Sequence, residues 1–129
     1  MILYEECVNT LNAVLANIVT KADVICAVLV GRDGQHITAQ GSIKKLDTSA
    51  FSALVAGCFA STKTIALMIG EKEFSTMYQQ GTHEHLHIIC VGEQALLATV
   101  FDSRTTLDIV KFYSNLFAPE LEQALQINN

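Results

Sequence analysis

Basic charge is in short supply in this chain: 8 Lys and Arg stand against 13 Asp and Glu in 129 residues, a formal net charge of −5. A nucleic-acid binder needs a basic face to displace counterions from phosphates, so that class of partner is set aside. Charge of either sign is scarce, at 16% of residues, while half the chain is hydrophobic and the mean hydropathy is +0.35. A surface so short of polar side chains implies a partner surface or a pocket. No secretory leader is evident, because Glu5 and Glu6 put acid where a signal sequence carries base. A bilayer span is not expected either: the longest apolar stretch, Ala50 to Ala60, is too short, and Lys63 interrupts its continuation. Cys7, Cys26, Cys58 and Cys90 show no C-x-x-C spacing. They read as small buried hydrophobes in a reducing cytoplasm rather than as a disulfide framework or a zinc site.

What is present is a regular succession of elements, in a length that fits one domain. Residues 2–19 carry a helical stripe of Leu3, Cys7, Leu11, Val14, Leu15 and Ile18. Val24 to Val30 is a continuous apolar run, and Gly31-Arg32-Asp33-Gly34 turns it into a half-exposed strand over residues 35–40. A long helix follows from Asp47 to Ile69, with Asp47, Thr48 or Ser49 as its cap and Gly70 to end it. Three short strands come next: Phe74 to Gln80 as the candidate edge, His85 to Val91, and Ala95 to Phe101. Thr105-Thr106-Leu107-Asp108 resembles a capping box and opens a last helix through Leu107, Val110, Tyr113, Leu116 and Phe117. Pro119, the only proline, is expected to limit that helix and leave residues 119–129 peripheral. The order α-β-β-α-β-β-β-α predicts an α+β sandwich around a five-stranded antiparallel sheet.

The long helix holds the most information. On a helical wheel Phe51, Leu54, Val55, Cys58, Thr62, Ile65, Ala66 and Ile69 form one stripe, the expected core face. Small residues lie elsewhere on the cylinder, and Gly57 costs about 1 kcal/mol against Ala in a helix interior. Close approach to a second copy would compensate, so Ala53, Gly57, Ala60 and Thr64 are the candidate dimer residues. The remaining face, Ser52, Ala56, Lys63 and Leu67, is the candidate partner-binding surface.

Sites for chemistry are few. His83, His85 and His87 alternate on a strand, where neighbours two apart stand about 6.7 Å from each other on one face. That spacing allows a shared metal, with Glu84 or His36 as a further ligand, but no rule of spacing supplies the closing partners. No serine sits in G-x-S-x-G, and no G-x-x-x-x-G-K-[ST] string cradles a phosphate. Catalytic residues and cofactors are therefore not expected. Arg32 and Arg104 are the residues that could reach a partner's nucleotide, Arg32 more freely from its hairpin tip.

Four strings together resemble the Roadblock domain family, and within it the bacterial MglB-type members. They are Val28 to Gly34, the Ala-rich Ala53 to Lys63, Gly81 to Ile88, and Leu96 to Asp102. The resemblance implies a Roadblock/profilin-like sandwich that pairs with itself or with a Roadblock paralogue through the long helix and an edge strand. It further implies a non-enzymatic cytoplasmic regulator or scaffold for a small Ras-like GTPase, with scope to act as its GTPase-activating protein. Two other readings fit the residues alone: a sensory module holding a small apolar molecule, and a histidine metal site on residues 83–87.

Overall fold

The computed structural model describes residues 4–128, with side chains to residue 126. The elements are α1 (Glu5–Ala22), β1 (Cys26–Gly31), β2 (His36–Gly41), α2 (Thr48–Met68), β3 (Thr76–Gln80), β4 (His85–Val91), β5 (Ala95–Phe101) and α3 (Leu107–Asn128). Order and type agree with the sequence reading, although Leu3, assigned to the first stripe, lies outside the described residues. All strand pairs are antiparallel, and the five-stranded sheet runs β2-β1-β5-β4-β3. Hairpins alone cannot make that order. The connection through α2 carries the chain across one face, so that β5 returns to pair with β1 and the edges fall to β2 and β3.

Alternation along the strands sends side chains to two separate cores. Ala27, Leu29, Ile89, Val91 and Leu97 join Leu11, Val14, Leu15 and Ile18 of α1 and Val110, Phe117 and Leu121 of α3. Cys26, Val28, Val30, Ile88, Leu96 and Ala98 meet Val55, Ala56 and Phe59 of α2 on the other face. One helix covers one face and two cover the other.

The helix ends follow local chemistry. The Asp47 carboxylate accepts from the Ala50 amide at 3.1 Å, and Gly70 leaves α2 at φ +94°, a region open to glycine. The cap of α3 is Thr106, whose hydroxyl accepts from the Ile109 amide at 3.4 Å, one residue later than the capping box suggested. Pro119 does not limit α3, which runs on to Asn128 with the proline inside it. Leu121, Ala124 and Leu125 are buried against α1, and the Cys7 thiol reaches the Ala124 carbonyl at 3.4 Å. Burying those side chains offsets the roughly 3 kcal/mol that an interior proline costs. The inner face of residues 121–125 is thus core rather than periphery, while Leu116 faces solvent.

Candidate functional site

Two surface features of α2 and one buried histidine concentrate the unusual chemistry of this chain. The helix is apolar almost all the way round, so periodicity could not fix its phase. Its buried residues are Ser52, Val55, Ala56, Phe59 and Ala66. The expected core stripe is therefore rotated by about 80°, at about 100° per residue. Leu54, Cys58, Ile65 and Ile69 are exposed instead, and Met68 is 81% exposed. Phe59 decides the phase. Its ring packs 5.2 Å from that of Phe74 and fills the sheet face over Val28, Val30 and Leu96. Ser52 can be buried because its hydroxyl shares a 3.2 Å hydrogen bond with Nδ1 of His36.

This phase corrects half of the candidate partner surface. Ser52 and Ala56 are buried against the sheet, whereas Lys63 is half-buried and Leu67 is 53% exposed. Ala53, Gly57, Ala60 and Thr64, the candidate dimer residues, all lie exposed. Gly57 points away from the protein, with nothing within 4 Å of where a Cβ would stand. Leu54, Ile65, Met68 and Ile69 add a broad apolar surface to that small-residue face, although the sequence pattern places Leu54, Ile65 and Ile69 in the core. By length and composition α2 passes for a membrane span, with a mean hydropathy of 1.5, although one stripe of it is packed on the sheet.

Beside α2, the β1–β2 turn and the start of β5 enclose a cleft of about 350 Å³ lined by Arg32, Phe59, Lys63, Leu67 and Leu96 among others. Arg32 is not the free hairpin arm expected of it. Its guanidinium donates to the Gly92 carbonyl at 3.0 Å and lies 5.8 Å over the Phe59 ring. Arg104 is likewise held, 3.0 Å from the Asp102 carboxylate, which its hydrogen bonds keep below the usual carboxylate range.

The histidines do not assemble. His83 lies in the turn before β4. His85 packs against the rings of Phe101 and Tyr78 and accepts from the Gly81 amide at 3.2 Å. His87, read in the sequence as a possible metal ligand beside His85, is fully buried on the side covered by α1 and α3. Among the described residues neither ring nitrogen finds a partner, and burial, aided by the nearby Lys111 charge, pulls its pKa down to about 4. Among the described residues no group of three His, Cys, Asp or Glu could hold a metal.

A sequence profile of the Roadblock/LC7 domain matches residues 10–101, including every strand and all of α2. The chain belongs to the Roadblock/LC7 domain family. This Roadblock/LC7 domain is similar to the solved structure of Myxococcus xanthus MglB, with a TM-score of 0.90 and 29% identity over 100% of this chain and 97% of that one. It also resembles the gliding protein MglB of Thermus thermophilus, at TM-score 0.91 and 26% identity over 98% and 96% of the two chains. A structure described as MglB with tetrameric arrangement gives a TM-score of 0.94 at 26% identity, covering 100% and 97%. Acanthamoeba castellanii profilin II, at 15% identity and TM-score 0.65, shares the fold alone. No curated protein matches the sequence.

Proposed function

We propose that this Roadblock/LC7 domain pairs with a second copy, or with a paralogue, through the outer face of α2, and that the pair regulates or scaffolds a small Ras-like GTPase. The observation that carries the reading is the outer α2 face itself. Leu54, Gly57, Ile65, Met68 and Ile69 stand exposed on one well-ended helix, an arrangement a lone small domain does not favour. A twofold axis beside Gly57 would bring the small residues of two copies together and cover the larger ones around them. The full-length likeness to MglB proteins supports the same assignment. The protein acts here as a binding module in the cytoplasm. Its sequence has no G-x-x-x-x-G-K-[ST] string, and Arg32 and Arg104 are both tied to their own chain.

Lys63 and Leu67 remain as the partner-facing members of the surface. The test uses purified protein with the Ras-like GTPase of the same genome, loaded with GDP or a GTP analogue. Binding and any stimulation of GTP hydrolysis are measured beside light scattering. A dimer that binds the GTPase is expected, and Leu67→Asp should abolish binding while leaving the dimer intact. A monomer at micromolar concentration, or normal binding by Leu67→Asp, refutes the respective half of the reading.

A further inference from the structure

Two cations line the cleft beside α2, and among the described residues neither has a carboxylate within 4 Å. Arg32 and Lys63 both line it, and both exert their charge on the Cys90 thiol, whose pKa burial nevertheless raises. Among the described residues the one ion pair is Arg104 with Asp102, so no carboxylate lies within 4 Å of either cation despite the net charge of −5. Arg32 and Lys63 thus put two positive charges on the lining of one half-enclosed cleft. The Arg32 guanidinium is also fixed: Nη2 is spent on Gly92, the group lies over Phe59, and Nε is buried without a partner among the described residues. A pre-positioned guanidinium with unused donors is suited to an oxyanion. The rest of the lining is apolar or small, from Phe59 and Leu96 to Leu67 and Ala60.

We propose that this cleft receives an acidic side chain of a bound partner protein, its carboxylate between Arg32 and Lys63 and a neighbouring aliphatic residue against Leu67. The inference rests on the proposed GTPase-regulating function and names the chemistry by which the partner is held. A protein fits the site better than a free anion for two reasons. The apolar wall continues through Leu67 onto the exposed α2 surface, and Ala60 and Thr64 belong both to the cleft and to the candidate dimer face. An extended partner can therefore touch the pair and the cleft at once. Arg32 contributes no catalysis here; its role is recognition.

The experiment measures affinity for the same-genome GTPase, with wild type, Arg32→Gln, Lys63→Gln and the double variant, at low and high salt. Each single change is expected to weaken binding about tenfold, as loss of a charge-assisted contact does, and the double variant should lose most of the salt dependence. Recovery of affinity by Lys63→Leu when one acidic residue of the GTPase is also changed to leucine would support the pairing. Thermal melting keeps the variants interpretable, since both side chains are partly exposed and should be replaceable without unfolding. If wild type binds and the double variant binds equally at every salt concentration, the cleft inference fails and the proposed function stands. If wild type binds no GTPase in either nucleotide state, both fail. If the double variant changes the light-scattering mass instead of the affinity, the cleft belongs to the contact between copies and the inference is overturned. Titration with sodium acetate and inorganic phosphate forms the last arm: saturation by either at micromolar concentration would assign the cleft to a free anion and overturn it too.

Discussion

Replacing His87 by leucine should both stabilise the protein and flatten its response to acid. The imidazole is fully buried with two unpartnered nitrogens, and Ser114 of α3, also fully buried, has an unpartnered hydroxyl. A buried polar group without a hydrogen bond costs about 1–3 kcal/mol, so an apolar side chain of similar volume should recover about 1–2 kcal/mol near neutral pH. The acid response has a definite sign. In the unfolded chain a histidine titrates near the ordinary 6.5, whereas His87 in the fold stays neutral down to about 4. Below pH 6.5 the unfolded state takes up a proton that the folded state refuses, so stability is whole above that value and falls as the pH drops towards 4. At about 1.4 kcal/mol per pH unit, the full loss is about 3 kcal/mol. Urea unfolding followed by circular dichroism, at one protein concentration and at several values between about pH 7.5 and 4.5, reads the difference between wild type and variant. His36, whose pKa burial also lowers, stays in both proteins and cancels. The two stability curves should diverge as the pH falls. Parallel curves, or a variant less stable than wild type at neutral pH, would show that the imidazole has a partner and that the reasoning is wrong.

Gly57→Arg should convert the expected dimer to a monomer in light scattering without lowering its melting temperature by more than a few degrees, because the new side chain projects into open space. A folded variant that still dimerises would move the contact away from this face. Gly41→Ala should destabilise by about 2 kcal/mol or more, since a Cβ there meets the Ile25 carbonyl at 2.5 Å and φ is +100°; denaturation at wild-type urea concentration would count against it. Asp47→Ala removes the cap of α2 and should cost about 1 kcal/mol, read in the same urea titration.

Much of this protein was fixed by local rules. The element order, the Asp47 cap, the glycine that ends α2 and the strands His85–Val91 and Ala95–Phe101 could all be read from residue patterns, because each depends on neighbours a few positions away. Where two local signals competed, long-range packing chose. Pro119 argues for a helix end, and Leu121 and Leu125 docking on α1 overrule it. The phase of α2 was beyond the sequence for a different reason: with apolar residues on every side, its periodicity names no inner face. Only the space over Val28, Val30 and Leu96, which Phe59 fills, turns Ser52 and Ala56 inward and leaves Leu54, Ile65 and Met68 outside. The Arg32–Lys63 cleft joins a hairpin turn to the last third of a helix, 31 residues away in the chain, and His87 is buried only because α1 and α3 cover its face of the sheet. Burial and juxtaposition of distant segments are properties of the closed sheet and its layers, and no window of neighbouring residues contains them.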